Sequence, residues 1–439
     1  MRIYEQIISA FYAVINGDNR YKYYKKLRSN LNLSRNEIIQ KQKEDIQKLI
    51  HHAYHHTAYY KELMDLYGLT PNDINTKEDL MKLPPLTKQL IKNNIEKLTS
   101  DDGFSKNLIK FTSSGSTGEQ GLIYRSRFSE DMSRASWLRN NSMIGWMPLD
   151  KTAWIWASPL ENKSYLRRIY VNSKMFLNRK MFLNSFNYAI SDFPNWYQKV
   201  LKFKPKVIYG NSSVIGEFSN FMLKNKLKLP SVKIVVCTTE QLRNRDLIEE
   251  AFNCKVYDQY GSSEVVAIGI EVRKDEMIFT DDVVVLNSNE NNEFLLTPLF
   301  SYGFPLINYK LGDTGENVSS NKISNLYPFP IMDLMIGRTT DKFLTDSNRK
   351  ISTSSLGSYM AKLDLGIDEH KIIQSNYKEF EIFYKSSSPD DEIYYNKVTT
   401  SLNEYFGNDL NIKFKKVSKL PIEKSGKNLM FKRTFNLEV

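Results

Sequence analysis

The fold class follows from residues 207–237, which run from Val207-Ile208-Tyr209-Gly210 through Ser212–Leu223 to Ile234-Val235-Val236-Cys237. Short β-branched runs bounded by turn residues predict buried strands, and the longer amphipathic segment between them predicts a helix. Strands that alternate with helices across short connections predict an α/β fold with mostly parallel sheets. In such folds the ligand crevice lies at the carboxyl ends of the strands.

The same alternation continues along the chain, with a helix predicted over Glu240–Phe252 and a strand at Lys255-Val256-Tyr257. Apolar residues recur at helical spacing over residues 1–100, and residues 276–310 are rich in strand-forming runs. A polar junction near residue 338 precedes a last stretch that mixes strand and helix patterns. We therefore predict an N-terminal domain over 1–337, with a helical lead-in over 1–100 and a β-rich subdomain. A small mobile C-terminal α+β domain is predicted over 338–439.

Composition places the chain among globular proteins. Of 439 residues, 41% are hydrophobic and 25% are charged, and the two cysteines, Cys237 and Cys254, fit neither a metal spacing nor a disulfide framework. We expect a cytoplasmic protein, because no apolar run reaches the ~20 residues of a membrane span and Glu5 interrupts any signal-peptide core. The net charge of +11 is spread along the chain without a nucleic-acid motif. It fits a nucleotide substrate or loose contact with the inner membrane, and we expect no nucleic-acid partner.

A histidine-rich run, His51-His52-Ala53-Tyr54-His55-His56, lies in the helical lead-in. His51 and His55, like His52 and His56, are four residues apart, so each pair could bind one metal ion from a helix. The run lacks the glutamate of a metalloprotease motif, because Ala53 follows His52. A half-exposed helix is the interpretation that the pattern favours.

A hydroxyl- and glycine-rich segment occupies residues 111–121, Phe-Thr-Ser-Ser-Gly-Ser-Thr-Gly-Glu-Gln-Gly. Such a segment is too polar for a strand interior and too rich in glycine for a helix. Its backbone N–H groups and hydroxyls could surround a phosphate chain, and a plain surface loop is the alternative. It is not a Walker loop, since Glu119 stands where that motif has lysine.

Several separate segments accompany this loop. Each alone could be an ordinary turn, but coincidence is hard to defend for the whole set in this order along the chain. They are Cys237-Thr238-Thr239-Glu240, Tyr260-Gly261-Ser262-Ser263-Glu264, the acidic turn predicted at Leu311–Glu316 with Asp313, Gly337-Arg338, and Ser425-Gly426-Lys427.

With these motifs the chain resembles the adenylate-forming superfamily, and within it the phenylacetate–CoA ligase family and its CapK-type branch from capsular polysaccharide clusters. Ser113–Gly118 resembles the family's phosphate loop, and Asp258–Glu264 its Tyr-Gly-x-x-Glu motif. Pro305–Asp313 resembles the ribose-binding segment, and the junction from Gly337-Arg338 to Asp341 resembles the hinge. Ser425-Gly426-Lys427 resembles the catalytic-lysine motif.

The resemblance implies a Mg-ATP-dependent enzyme that activates a carboxylate as an acyl-adenylate, releases pyrophosphate and passes the acyl group to an acceptor. ATP and Mg²⁺ are the implied cofactors, and CoA is a candidate acceptor. The implied catalytic residues are Lys427, Glu264 and Thr117, with Glu264 holding the metal. The implied phosphate-binding residues are Thr112, Ser113, Ser114, Gly115, Ser116 and Gly118. The implied adenine- and ribose-binding residues are Glu240, Tyr260, Gly261, Ser262, Ser263, Asp313 and Arg338, and the implied hinge residues are Thr340 and Asp341.

This chain departs from the family pattern at four places. Glu119 replaces the usual lysine after Gly118. Its negative charge either weakens ATP binding, or its side chain points away from the phosphates. Asn308 stands where the family often has arginine. The hinge lacks one acidic residue of the usual pair, and residues 347–350 lack the usual glycine.

The acceptor stays open at this point. It is a thiol such as CoA, an amine, or a separate carrier protein. The expected pathway is the synthesis of capsular or other surface polysaccharide. The alternatives are an amide-forming synthetase and a catalytically weak member that acts as a partner in a polysaccharide biosynthetic complex, associated loosely with the inner membrane. A dimer is one option for the oligomeric state.

Overall fold

The structure, a computed structural model, describes the chain from residue 7 to residue 435. The description leaves out residues 8–9, 114–120, 158–164, 241, 243, 315–321, 333–341, 348, 353–355, 357–359, 361–364, 366, 368, 387–390, 419 and 422–430. The chain divides into two compact units. Unit 1 comprises Met1–Phe111, Leu122–Leu149 and Tyr257–Gly337; unit 2 comprises Thr112–Gly121, Asp150–Val256 and Arg338–Val439. Residues 338–439 thus share a unit with residues 150–256, and a separate C-terminal domain stays a prediction.

Helices and strands alternate over much of the described chain. The helices are α1 (Arg20–Ser29), α2 (Arg35–His56), α3 (Ala58–Leu66), α4 (Lys88–Asn93), α5 (Ile95–Leu98), α6 (Arg127–Met143), α7 (Tyr165–Leu177), α8 (Phe193–Phe203), α9 (Ser212–Lys224), α10 (Arg245–Phe252) and α11 (Glu392–Phe406). The strands are β1 (Ile109–Ser113), β2 (Gly121–Arg125), β3 (Thr152–Trp156), β4 (Lys180–Asn184), β5 (Asn187–Tyr188), β6 (Val207–Asn211), β7 (Ile234–Thr238), β8 (Lys255–Tyr260), β9 (Gly269–Arg273), β10 (Glu276–Phe279), β11 (Val284–Ser288), β12 (Glu293–Pro298), β13 (Tyr309–Thr314), β14 (Lys342–Leu344), β15 (Lys350–Ser352), β16 (Glu369–Asn376), β17 (Glu379–Lys385), β18 (Asn411–Lys416) and β19 (Phe431–Arg433). Short helical turns lie at Tyr12–Asn16, Asn30–Asn32, Pro71–Asp73, Asp79–Lys82, Gly103–Ser105 and Ile190–Asp192.

The longest helix of unit 1, α2, begins at a capping box. Ser34 accepts a hydrogen bond from the Glu37 backbone N–H (3.3 Å), and the Glu37 carboxylate accepts one from the Ser34 N–H (2.7 Å). The buried face follows helical spacing through Ile38, Ile46 and Leu49. Helices α1 to α5 lie within the predicted lead-in over 1–100, and the histidine run forms the last turns of α2 with His51 and His55 exposed.

The β-rich part of unit 1 consists of antiparallel pairs. β8 pairs with β9 and β9 with β10, while β11, β12 and β13 form a three-stranded meander. The strands predicted between residues 276 and 296 are observed as β10, β11 and β12. The connection between β10 and β11 contains Asp281 and Asp282, both buried beside arginine side chains.

Unit 2 contains a parallel sheet in the order β7-β6-β3-β4. Every residue of β6 and β7 is buried, as expected for parallel strands covered on both faces by helices. The core includes Ile155, Ile208, Val235 and Phe218. The predicted strand–helix alternation is thus confirmed, with one correction. The helix predicted from Glu240 begins at Arg245, because Thr239 adopts φ 72° and turns the chain before the helix starts.

The C-terminal part of unit 2 has its own apolar core. Four strands lie in the order β18-β17-β16-β19, and α11 connects the parallel neighbours β17 and β18. Phe343, Phe380, Phe406 and Phe431 pack in this core, and Phe186 from the earlier part of the chain belongs to the same cluster. β14 and β15 form a further small sheet with β5.

Asn308 has a structural role in unit 1. It is fully buried with φ 51°, and its Nδ2 donates to the carbonyl oxygens of Leu80 (2.5 Å) and Leu83 (3.0 Å). Asparagine tolerates the left-handed conformation better than most residues, and its amide satisfies two carbonyls of the helical lead-in. This explains why an asparagine fits a position where the related family often has arginine.

We predict that Asn308→Ala lowers the free energy of unfolding by about 2–4 kcal/mol, because the Leu83 carbonyl loses the Asn308 donor, the Leu80 carbonyl keeps only the Leu83 N–H, and alanine is strained at this φ. Asn292→Ala is the matched control, because Asn292 has φ 57° but is exposed. It should cost only about 1 kcal/mol. Urea unfolding followed by tryptophan fluorescence measures both, and equal effects would show that the amide contacts contribute nothing.

A second prediction concerns His370 in β16. Complete burial lowers the pKa of His370 from 6.5 to about 4. The histidine of the unfolded chain is protonated at a higher pH than the buried His370, so acid favours unfolding. The stability that depends on neutral His370 is therefore complete above pH 6.5. It is lost progressively as the pH falls toward 4, by about 3 kcal/mol at most. His370→Phe, which suits the neighbouring Tyr394 and Phe431 rings, should remove this part of the pH dependence.

The measurement is the urea midpoint at pH 7, 6, 5 and 4 for both proteins. The exposed His55→Gln variant serves as the control and should keep the wild-type slope. Identical slopes for wild type and His370→Phe would contradict the prediction.

Candidate functional site

Two predicted nucleotide-binding residues meet in unit 1. Tyr260, the last residue of β8, donates a hydrogen bond from Oη to Oδ2 of Asp313 at 3.0 Å, although the two lie 53 positions apart. The Tyr260 ring also contacts the edge of Phe294, with ring centroids 6.1 Å apart. The contact joins the Tyr-Gly-Ser-Ser-Glu motif to the Leu-Gly-Asp motif.

A bulge in β13 brings Asp313 to this position. Leu295 pairs with Lys310 and Glu293 with Thr314, so three residues of β13, 311–313, lie opposite the single residue Phe294. Gly312 has φ 81°, which glycine adopts without strain. The turn predicted at Leu311–Glu316 is therefore wrong for residues 311–314, while Gly315 and Glu316 lie outside the described residues. Asp313 lies within a bulged strand, because the ladder resumes at Thr314.

The segment after Tyr260 folds into a tight turn around Ser262. Ser262 Oγ accepts from the backbone N–H groups of Glu264 and Val265, each at 3.2 Å, and the Ser262 N–H donates to the Val265 carbonyl at 2.9 Å. At Gly261 a Cβ atom would lie 2.1 Å from the Val266 carbonyl oxygen, so only glycine fits there. Ser262 and Ser263 thus shape the turn that carries Glu264, whose side chain is buried.

Arg125, at the end of β2, provides a positive charge beside this turn. Its Nη2 donates to the Ser263 carbonyl (2.6 Å), its Nη1 pairs with Glu130 (2.7 Å), and its guanidinium lies 3.7 Å from the Phe111 ring centroid. Burial lowers the pKa of Arg125, against the attraction of Glu130 and Glu264. Sequence analysis missed this residue; its one signal was a cation directly after the glycine-rich loop.

Glu240 lies in unit 2, two residues after the end of β7. Ser213 Oγ donates to Glu240 Oε1 at 2.9 Å. Burial raises the pKa of Glu240, against the charge of Lys342 and the hydrogen bond from Ser213. The preceding Thr239 is a β-branched residue at φ 72°, a strained conformation that recurs at binding sites.

Two lysines that sequence analysis missed converge on Glu217 in unit 2. Lys342 Nζ lies 3.0 Å from Glu217 Oε1 and 2.6 Å from Tyr188 Oη, and Lys350 Nζ lies 2.7 Å from Glu217 Oε2. Burial raises the pKa of Glu217, but Lys342 and Lys350 outweigh it and lower the pKa overall. These ion pairs fasten β14 and β15, the first strands after the predicted hinge, to the α9 helix.

The remaining predicted residues are only partly covered by the structure. Thr112 and Ser113 end β1, so the strand extends further into the predicted loop than its polarity suggested. Ser114, Gly115, Ser116, Thr117, Gly118, Glu119, Arg338, Thr340, Asp341 and Lys427 lie outside the described residues. Among the helices that the structure describes, none is long and apolar enough to cross a membrane.

Comparison with known proteins supports the predicted resemblance. A family model for the CapK C-terminal domain matches residues 343–434. Protein CapK of Staphylococcus aureus is 24% identical over 409 residues, which cover 89% of this chain and 88% of that protein. The resemblance to CapK-type proteins is thereby confirmed.

Solved structures with the same architecture include two crystal structures of 2-hydroxyisobutyryl-CoA ligase. The complex with 2-HIB-AMP and CoA gives a TM-score of 0.58 at 17% identity, covering 92% of both chains. The postadenylation complex with R3-HIB-AMP gives 0.54 at 16% identity, covering 92% of this chain and 90% of that one. At these identities the likeness shows the fold, and the predicted fold class is confirmed.

We predict that Gly261→Ala destabilises the turn that carries Glu264. The added methyl group meets a backbone oxygen, which cannot rotate away, so the cost should be about 1–3 kcal/mol. Gly103→Ala is the control, since nothing lies within 4 Å of its Cβ. Thermal unfolding should show a lower midpoint for Gly261→Ala alone; equal midpoints for the two variants would refute the steric argument.

Proposed function

We propose that this protein is a Mg-ATP-dependent, adenylate-forming ligase. The observation that carries the proposal is the Tyr260–Asp313 hydrogen bond, which joins the motif expected at adenine to the motif expected at ribose. The bond thereby brings together two motifs that lie far apart in the sequence. The CapK-type likeness and the shared fold with 2-hydroxyisobutyryl-CoA ligase support it.

Tyr260 and Asp313 would bind the nucleoside. The ring of Tyr260 offers a flat face for adenine, while its hydroxyl holds Asp313 in place. A carboxylate can accept several hydrogen bonds at once, so Asp313 could accept from the ribose hydroxyls as well as from Tyr260.

Glu264 would hold Mg²⁺. Its carboxylate supplies a hard oxygen ligand, and one or two carboxylates plus substrate phosphates suffice for this ion. Arg125 would stay paired with Glu130, 2.7 Å away, and would not compete with the ion for the Glu264 carboxylate. When bound, Mg²⁺ neutralises phosphate charge. Glu264 would orient the phosphates toward the attacking carboxylate, and Arg125 fixes the backbone on which Glu264 lies.

Lys427 and the residues 112–118 would act on the phosphates. Backbone N–H groups and the hydroxyls of Ser113, Ser116 and Thr117 would stabilise the leaving pyrophosphate. Lys427 would lie between the substrate carboxylate and the α-phosphate, where its charge lowers the cost of bringing two anions together. The carboxylate oxygen then bonds to the α-phosphorus as the bond to pyrophosphate breaks.

Residues 338–439 would form a mobile lid that carries Lys427. The match to a CapK C-terminal domain over 343–434 lies inside this range. The lid would turn at Thr340 and Asp341, and its movement would have to break the ion pairs of Lys342 and Lys350 with Glu217. Removing Lys427 after adenylation would open space for the acceptor. We propose a cytoplasmic role in making surface polysaccharide, with a thiol such as CoA as acceptor.

Carboxylate-dependent exchange of pyrophosphate into ATP tests this proposal, over a panel of aryl, acyl and sugar acids. We expect exchange with at least one acid, and a loss of about 10²–10³-fold in Lys427→Ala, because a charge stabilising the transition state is removed. Lys413→Ala is the matched control, since Lys413 is an exposed lysine of the same predicted lid. Its exchange rate should equal that of wild type.

Exchange that survives Lys427→Ala would refute the proposed mechanism. Absence of exchange with every acid, in folded protein that binds ATP, would favour a non-catalytic partner role. Where exchange occurs, the acceptor is identified by supplying CoA or amines to the active acid and separating thioester from amide by mass spectrometry.

A further inference from the structure

Two histidines at the end of α2 and one aspartate before β1 form a cluster that includes none of the motif residues considered above. His52 and His56 are one turn apart with ring centroids 4.8 Å from each other, and Asp102 faces them from the segment before β1. One ligand atom from each of the three side chains lies within 4.8 Å of the other two. We propose that His52, His56 and Asp102 bind a divalent transition metal ion such as Zn²⁺.

Asp102 is oriented by the protein. Its Oδ1 accepts from Ser100 Oγ (2.8 Å) and from the Phe104 backbone N–H (3.0 Å). Its Oδ2 is thereby directed at His52 Nε2, 2.9 Å away. Hydrogen bonds of this kind to the far side of a ligand fix its orientation at known metal sites.

His56 has the tautomer that metal binding requires. Its Nδ1 lies 2.8 Å from Asp101 Oδ1. Because an ionised carboxylate can only accept, Nδ1 carries the hydrogen, and the neutral ring keeps its lone pair on Nε2. Metal-bound histidines commonly donate their other N–H to a carboxylate in this way.

His52 is held between aromatic rings. Its ring contacts Phe104 and Tyr302 edge-on, at centroid distances of 5.7 and 5.0 Å. Without metal, Nε2 carries the hydrogen that Asp102 accepts. On binding, that hydrogen moves to Nδ1, which is buried without a hydrogen-bond partner among the described residues, and Nε2 binds the ion. Nε2 and Oδ2 need to separate only to about 3.3 Å, the spacing of tetrahedral zinc ligands.

The ligand set determines the class of ion. Two imidazoles and one carboxylate suit Zn²⁺, Co²⁺ or Ni²⁺, while Mg²⁺ and Ca²⁺ require oxygen ligands. The side chain of His56 is 41% exposed, so water can complete the coordination. Since three protein ligands are fewer than a closed structural site has and Nδ1 of His52 gains no acceptor, we expect a dissociation constant on the order of 1 µM.

Binding would fasten the end of α2 to residues 100–104. In the metal-free protein these segments are joined by the two His–Asp hydrogen bonds and by the bond from the Asp101 N–H to the His56 carbonyl, at 2.9 Å. An ion shared by both segments raises stability by mass action. The site is independent of the proposed ligase activity, because it shares no residue with it.

The same helix supplies a matched control. His51 and His55 have the same spacing and their rings lie 6.2 Å apart, but both are exposed, and no carboxylate completes a three-residue group with them among the described residues. A pair of histidines alone binds metal weakly, so comparing the two pairs separates a built site from general histidine affinity.

The test uses untagged full-length protein freed of metal with a chelator and titrated with Zn²⁺ by calorimetry, and with Co²⁺ by visible absorption. We expect one ion per chain and a raised thermal midpoint in wild type. His56→Gln and Asp102→Asn each remove a ligand and should weaken binding by at least about 10–100-fold, the loss expected when only a ligand's hydrogen-bond partner is removed. The double variant His51→Gln/His55→Gln should bind like wild type.

Three results would overturn the proposal. The first is that wild type takes up no Zn²⁺ at a concentration 100-fold above the expected dissociation constant of about 1 µM. The second is that Asp102→Asn binds Zn²⁺ as tightly as wild type. The third is that His51→Gln/His55→Gln loses binding. Circular dichroism checks that each variant is folded. His56→Gln should fold normally because the His56 side chain is partly exposed.

Discussion

The candidate site in unit 1 depends on a buried ion pair between Arg139 and Asp282. Both side chains have no exposed surface, and two nitrogens of Arg139 contact the two carboxylate oxygens at 3.1 and 2.9 Å. Asn30 adds a hydrogen bond of 2.7 Å to Asp282, and the guanidinium lies 4.9 Å from the Phe329 ring centroid. Breaking one partner of such a pair costs about 3–5 kcal/mol, because an unpaired charge stays buried. The pair therefore fixes α6 against the connection between β10 and β11.

Helix α6 also forms hydrogen bonds at both ends of the Tyr-Gly-Ser-Ser-Glu turn. Trp137 Nε1 donates to Gln259 at 3.1 Å, immediately before Tyr260, and Ser133 Oγ accepts from the Val266 N–H at 3.0 Å, just after Glu264. One helix thus holds both ends of the turn on a single rigid surface. A site built in this way is preorganised, since the turn need not be ordered when a nucleotide binds.

The local elements could be predicted from sequence, and the contacts between distant elements could not. Strands β6 and β7 are encoded by consecutive β-branched residues, so hydrophobic pattern alone identified them. The bulge that presents Asp313 depends on the register of β12 against β13, which is a tertiary property. The roles of Arg125 and Asp102 could not be predicted for the same reason, because each depends on contacts with residues far away in the sequence. The start of α10 differs from its prediction because the residue types around Thr239 do not reveal its positive φ.

The two proposed metal sites of unit 1 differ in the chemistry that their residues permit. Glu264 offers oxygen alone, and a single carboxylate leaves most of the Mg²⁺ coordination to water and to the phosphates that arrive with the ion. His52 and His56 offer nitrogen beside the single carboxylate of Asp102, with aromatic rings as neighbours. Imidazole selects transition metals over Mg²⁺. The histidine cluster would therefore not take up Mg²⁺, and an ion held there would leave the magnesium that accompanies ATP free to come and go with each turnover.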